Sequence, residues 1–168
     1  MLGAILAGGR SRRFGSDKAM AGWQGRPLLQ HVAEALAPHC AALVVVGRDW
    51  PGLVRLDDRP APGLGPLGGL CAALHHGEIL GLSTVMSAPC DLLIGDPAAL
   101  ARLLPGPAVA EGQWLLGAWP TALAGKLNHW LMDSQPLAAR AFAGEAGAKS
   151  IPIGGLVNVN RPDDLPTG

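Results

Sequence analysis

Residues 6–18 read Leu-Ala-Gly-Gly-Arg-Ser-Arg-Arg-Phe-Gly-Ser-Asp-Lys, so three glycines, three arginines and a lysine share one short stretch of a chain with zero formal net charge. Glycine lets backbone N–H groups come close to a ligand, and a run of such groups makes an anion-binding concavity. Arginine adds forked donors matched to phosphate oxygens, and lysine adds a compact point charge. The stretch is expected to hold a polyphosphate. A second chemical signal is Asp91, which follows Pro89 and Cys90 at the end of an apolar run. Magnesium takes one or two carboxylates together with phosphate oxygens and water. A carboxylate opposite the basic stretch is therefore suited to metal-assisted phosphoryl or nucleotidyl transfer. The simpler alternative for Asp91 is a cap on the next helix. A third signal is Asn158-Val159-Asn160. On an extended segment it places two amides on one face. They would bond a base edge, a ribose or a neighbouring loop, or else close a turn before Pro162.

Two familiar nucleotide motifs do not fit. The P-loop needs lysine directly after its last glycine, then serine or threonine. Here Gly15 is followed by Ser16, Asp17, Lys18 and Ala19, which argues against a Walker-type ATPase. Residues 63–68 formally match GxGxxG, and Asp91 lies 23 residues beyond Gly68. Residues 57–62 before them are polar and contain two prolines, whereas the dinucleotide fingerprint directly follows a strand. The segment is better read as a loop entering a helix N-terminus, where backbone N–H groups meet a nucleotide or substrate.

The elements that must position these residues alternate. Residues 3–6 form a continuous apolar run, as expected of a strand buried on both faces. From Pro27, a residue suited to the first helical position, Leu28, Leu29, Val32, Ala33 and Leu36 fall on one stripe. Residues 42–46 and 53–56 read as strands, and Leu67, Leu70, Cys71 and Leu74 repeat at helical spacing. Residues 82–88 are a further buried strand. Asp96-Pro97 caps and opens a helix to about residue 104. Two strands, 107–111 and 114–118, flank a turn at Gly112; helices follow at 123–132 and 135–144, then a strand at 156–159 and a helical turn at 162–165. Such alternation predicts a three-layer α/β/α, Rossmann-like fold with a mostly parallel sheet. Ligands of such folds bind at the carboxyl ends of strands. Both the glycine-rich stretch and Asp91 lie at such ends.

Composition narrows the class. The 168 residues suit a single domain, are 49% hydrophobic and only 15% charged, which excludes a disordered tail or a coiled coil. No apolar stretch reaches the roughly 18 residues of a membrane span, and residues 1–7 are too short and lack the basic start of a signal peptide. A cytoplasmic protein is expected, with no membrane partner. Neutral charge with one local basic cluster suits a small anion rather than nucleic acid. Cys40, Cys71 and Cys90 form no CxxC pair, so they read as core or near-core thiols, and the adjacent His75 and His76 point apart on a helix. The five tryptophans are scattered and read as core or rim packing.

The stretch 6–18 resembles the LAGGxSxRMGxDK signature of nucleotidyltransferases with a Rossmann-like fold. More narrowly, the chain resembles the molybdenum cofactor guanylyltransferase family. Asp17-Lys18-Ala19, Gly25-Arg26-Pro27-Leu28 and Gln30-His31-Val32 match its entry to the first helix. Gly65-Pro66-Leu67-Gly68-Gly69-Leu70 matches its second loop, and Pro89-Cys90-Asp91 its metal-binding strand end. Trp119-Pro120-Thr121 is similar to its central HPT/HPL element, and Val157-Asn158-Val159-Asn160-Arg161-Pro162 to its closing signature. Phe14 stands for the usual methionine, and Gly47 for an asparagine that contacts nucleotide in some relatives. Residues 92–95, Leu-Leu-Ile-Gly, replace a proline-containing loop.

The resemblance implies transfer of GMP from GTP to the phosphate of molybdopterin, with release of pyrophosphate. It implies that Leu6, Ala7, Gly8 and Gly9 line the nucleotide, that Arg13 and Lys18 hold phosphates, and that Asp58 contacts the nucleotide. It implies that Asp91 binds Mg²⁺ and nucleotide, and that Asn158 and Asn160 serve the molybdopterin side. Catalytic roles fall to Arg13, Lys18 and Asp91. Implied partners are GTP, molybdopterin, and molybdoenzyme chaperones or other cofactor-biosynthesis proteins. The alternatives are a relative using CTP or a sugar phosphate, and a nucleotide-binding module without catalysis. The Gly8-Gly9 pair favours GTP, because cytidylyl relatives more often carry Ala-Ala-Gly there.

Overall fold

The structure is a computed structural model, and it describes residues 1–8 and 21–165. In chain order the strands are β1 (Leu2–Leu6), β2 (Gly22–Trp23), β3 (Arg26–Pro27), β4 (Ala42–Val46), β5 (Val54–Leu56), β6 (Thr84–Pro89), β7 (Leu92–Ile94), β8 (Ala108–Ala110), β9 (Gln113–Pro120), β10 (Lys149–Ile151) and β11 (Leu156–Asn158). The α-helices are α1 (Leu28–Leu36), α2 (Gly65–Ile79), α3 (Ala124–Met132) and α4 (Ala139–Glu145).

Seven strands make one sheet in the order β10-β8-β9-β6-β1-β4-β5. β1 pairs in parallel with β4 on one side and β6 on the other, and β4–β5 and β8–β10 are also parallel. Only β9 runs against its neighbours β6 and β8. All five residues of β1 are buried, which explains their unbroken apolar run. Their side chains still alternate between two cores. Leu2 and Ala4 pack with Leu67, Leu70 and Leu74 of α2, Leu127 and Leu131 of α3, and Phe142 of α4. Ile5 packs with Leu29, Val32 and Leu36 of α1 on the opposite face. Helices therefore cover both faces of a mostly parallel sheet, as the alternating pattern predicts.

Several details differ from the sequence-based expectation: β10, a strand of the main sheet, has no counterpart in it, and the helix expected at 135–144 is α4, Ala139–Glu145. Residues 97–103 form a 3-10 helix rather than an α-helix, although Asp96 caps it by accepting from the Ala98 N–H at 3.1 Å. Pro27 stands one residue before α1 as its N-cap, and it also ends the short β2–β3 hairpin, which carries no periodic signal. Leu92–Ile94 is a strand, β7, paired antiparallel with β11. Three residues are too few for periodicity to reveal a strand whose partner lies more than sixty residues away.

Trp119-Pro120-Thr121 serves packing. Trp119 is buried and donates through Nε1 to Ser87 Oγ at 2.9 Å, and Thr121 donates to the Leu82 carbonyl at 2.9 Å. Cys71 is buried, Cys40 and Cys90 are half-buried, and none of the three is in a disulfide. Burial pushes the Cys40 and Cys71 thiols up to about 11. Among the described residues no helix is long and apolar enough to cross a membrane.

Candidate active site

The chain leaves β1 for β4 and β5 on one side, then returns to place β6 on the other. The crevice beyond the carboxyl end of β1 is thus the topological switch point where open α/β sheets bind ligands. Its floor is held by backbone hydrogen bonds. The Ala7 N–H donates to the Val46 carbonyl at 3.0 Å, the Gly47 N–H to the Leu56 carbonyl at 2.9 Å, and the Cys90 N–H to the Leu6 carbonyl at 3.1 Å. Leu6 and Ala7 therefore tie the start of the glycine-rich stretch to the ends of β4 and β6. Gly9, Arg13 and Lys18 lie outside the described residues.

On the β4–β5 side the floor is made of backbone. Gly47 has φ +85°, and a Cβ there would sit 2.5 Å from Gly8 Cα and 2.9 Å from Gly8 N. No side chain fits between these backbones. That is a physical reason for glycine where some relatives carry asparagine, and it means this position offers a nucleotide no side-chain contact. A Cβ on Gly8 would meet nothing closer than 3.7 Å, and its third neighbour is Asp58 Oδ1 at 4.0 Å.

Asp58 is half-buried just beyond β5. A Cβ on Gly68, in the first turn of α2, would lie 3.2 Å from Asp58 Cβ, so the helix start packs directly on this residue. The Arg59 N–H donates to the Gly68 carbonyl at 3.1 Å and fixes that approach. Burial raises the Asp58 pKa above 3.8, a backbone hydrogen bond from Gly63 opposes the rise, and the negative charge of Asp57 adds to it. The first turn of α2 has Pro66 near its start and no side-chain cap on its N–H groups. Such a terminus favours an anion.

On the β6 side stands Asp91, half-buried in the turn between β6 and β7. A strand follows it, so it does not cap a helix; Asp96 performs that role. The Asp91 carbonyl accepts the Val159 N–H at 2.9 Å, and Leu92 is the cross-strand partner of Asn158. The β7–β11 ribbon thus brings the closing Asn-Val-Asn segment to the metal candidate. Val159 is fully buried against Leu28 and Leu93, whereas Asn158 and Asn160 are exposed, as the period-two reading requires. The turn before Pro162 is closed by Asp164, which accepts from the Asn160 and Arg161 N–H groups at 2.7 and 2.8 Å. Among the described residues no three His, Cys, Asp or Glu side chains form a metal cluster. A lone half-buried carboxylate at a strand end fits Mg²⁺, which completes its shell with phosphate oxygens and water.

Gly8, Asp58 and Asp91 therefore gather at one crevice, with Asn158 and Asn160 beside Asp91. Sequence reasoning named Gly47 only by comparison with relatives and missed its backbone approach to Gly8, whose one signal is a glycine ending a β-branched run; it also missed β7 and its pairing with β11.

Residues 3–151 match the family described as MobA-like NTP transferase domain. A molybdenum cofactor guanylyltransferase of Sinorhizobium fredii (strain NBRC 101917 / NGR234) is 32% identical, over 96% of this chain and 87% of its own length. One of Cereibacter sphaeroides is 35% identical, over 98% and 93%. The crystal structure of molybdopterin-guanine dinucleotide biosynthesis protein A from Archaeoglobus fulgidus has the same fold, with a TM-score of 0.76, 21% identity, and coverage of 98% of this chain and 95% of that one. The match from residue 3 to residue 151, and relatives above 30% identity along nearly their whole length, place this chain in the MobA-like NTP transferase family.

Proposed function

We infer that the protein is a nucleotidyltransferase that moves GMP from GTP to the phosphate of molybdopterin, giving the guanine dinucleotide form of the cofactor and pyrophosphate. One observation carries the site assignment. Gly8, Asp58 and Asp91 come from three distant stretches of chain and converge at the carboxyl end of β1, and the β7–β11 ribbon delivers Asn158 and Asn160 beside Asp91. The near full-length relatives named for this activity support the same reading.

In this reading a molybdopterin phosphate oxygen attacks the α-phosphorus of GTP in line. A new P–O bond forms as the bond to pyrophosphate breaks, and the electron pair leaves with pyrophosphate. The attacking phosphate is already ionised near pH 7, so no protein base is required. Positioning and charge stabilisation carry the rate, as in phosphoryl transfer generally. Gly8 and Asp58, beside the first turn of α2, receive the nucleotide. Arg13 and Lys18 hold its phosphates. Asn158 and Asn160 orient the acceptor phosphate. Asp91 holds Mg²⁺, which when bound supplies neutralising charge for the α-phosphate. The same reading places the protein in the cytoplasm, passing its product to molybdoenzyme chaperones or other cofactor-biosynthesis proteins.

Pyrophosphate release with GTP, CTP and ATP, each with and without molybdopterin, tests it. Release with GTP that depends on molybdopterin is expected. Preferred release with CTP points to a cytidylyl relative, and nucleotide binding without release points to a non-catalytic module.

A further inference from the structure

A cavity of about 390 Å³ lies between α1 and the β7–β11 ribbon, away from the Gly8–Gly47–Asp58 floor. Its lining includes Trp23, His31, Glu34, Leu93, Gly155 and Val157. None of these has a role in the assignments above. The volume falls within the range of small-molecule sites, which are mostly apolar with a few placed polar groups. Leu93 and Val157 are cross-strand partners and supply apolar wall. The rings of Trp23 and His31 stand 5.0 Å apart and tilted by 57°.

Two of the lining side chains, His31 and Glu34, present acceptors. His31 Nε2 lies 2.9 Å from the Trp23 carbonyl. A carbonyl only accepts, so Nε2–H is the donor of this bond, and in that tautomer Nδ1 is an acceptor. Glu34 is a carboxylate held in place by Arg26 at 2.7 and 2.8 Å and by Gln30 at 3.1 Å. A flat ligand that presents N–H donors to fixed acceptors and apolar faces to Leu93 and Val157 matches this chemistry. The 2-amino-4-oxopyrimidine ring system has that character. It occurs both in guanine and in a pterin.

We propose that this cavity receives the pterin ring of the acceptor, with the phosphate-bearing end directed toward Asp91. The proposal rests on the guanylyl-transfer reading. Position separates the two sources. The nucleotide groups Gly8 and Asp58 lie on the β4–β5 side of β1, whereas the cavity borders the ribbon on the β6 side. Leu93 of the cavity wall lies two residues beyond Asp91, a span of roughly 7 Å along extended chain. A ring seated against Leu93 and Val157 thus has its substituent within reach of the metal candidate, and Asn158 directly follows Val157 in β11.

The test titrates the whole protein with pterin-6-carboxylate, followed by the pterin's own fluorescence. Wild type is compared with Glu34→Gln, which removes an exposed charge, and with Ala35→Leu, which fills space at a cavity-lining position. Wild type binds, and each variant weakens binding about tenfold, the loss expected for a hydrogen bond to a charged group or for an overfilled site. Saturating GTP leaves the pterin affinity within about twofold. Lack of binding by wild type, or unchanged binding by both variants, overturns the proposal. Full displacement by GTP also overturns it, because guanine then occupies the cavity. GTP titrated separately onto wild type keeps the two readings apart. No GTP binding sinks guanylyl transfer while pterin binding still supports the cavity.

Discussion

The two flanks of β1 are built from different materials. On the β4–β5 flank, backbone lies against backbone at Gly8 and Gly47, and the first turn of α2 lies against Asp58 at Gly68. On the β6 flank, a short two-stranded ribbon leaves the main sheet, packs Leu93 and Val159 against Leu28, and borders a cavity. The first flank leaves no room for a Cβ on Gly47. The second has space. A floor without side chains suits a ligand grasped through N–H groups, such as a nucleotide. A walled cavity with fixed acceptors suits a ring with its own donors. On the proposed reading, donor and acceptor approach from opposite flanks and meet at Asp91.

Asp91 stands where the flanks join, so it carries the largest expected effect. Asp91→Asn keeps the fold and lowers kcat by about 10²–10³, the loss typical of one transition-state charge stabiliser. Guanylyl transfer under saturating substrates checks this, and near-normal turnover would remove Asp91 from the chemistry.

The glycine floor breaks next. Gly47→Ala forces a Cβ to 2.5 Å from Gly8 Cα. Overpacking against backbone costs about 1–3 kcal/mol beyond the roughly 1–2 kcal/mol of a left-handed alanine. Gly81 has φ +68° with nothing within 4 Å of an added Cβ, so Gly81→Ala reports the conformational part alone. Urea unfolding of the pair is expected to separate them by the overpacking term, and equal losses would show that the Gly8–Gly47 contact yields freely.

The ribbon flank should respond through its small core. Leu93 is 5% exposed, and Leu93→Ala costs about 2–3 kcal/mol by leaving a cavity. Hydrogen exchange should rise at the Val159 N–H, which the Asp91 carbonyl accepts, and remain unchanged at the Ala7 N–H on the other flank.

The smallest effect concerns pH. Burial raises the Asp58 pKa above 3.8 in the folded state. The ionised form is therefore penalised at neutral pH, and the penalty is relieved as pH falls from the raised value toward 3.8. Asp58→Asn is expected to gain no more than about 0.5 kcal/mol at pH 7, and that gain should vanish on acidification. A variant less stable than wild type at pH 7 would contradict the sign.

The flanks also differ in how far the sequence reveals them. The glycine floor is legible because its parts are local. A buried apolar run, a glycine-rich stretch and a Gly-Pro helix entry each report their own geometry. The placement of Asp91 at a strand end follows in the same way from the run before it. The ribbon is opaque because pairing of Leu92–Ile94 with Leu156–Asn158 is a long-range contact between three-residue segments. The cavity it borders has lining residues from both ends of the chain. Gly47 shows the same limit on a smaller scale, since its need for glycine exists only once β1 and β4 are adjacent. Asn158 and Asn160 sit between these cases. Their shared exposure was readable from period two, but their place beside Asp91 required the ribbon.

If donor and acceptor use different flanks, as proposed, steady-state kinetics with both substrates varied shows it most directly. Asp58→Asn, on the glycine flank, is predicted to raise the KM for GTP and leave the KM for molybdopterin unchanged. Glu34→Gln, beside the ribbon, is predicted to do the reverse. If both variants raise the KM of the same substrate, the division between the flanks is wrong.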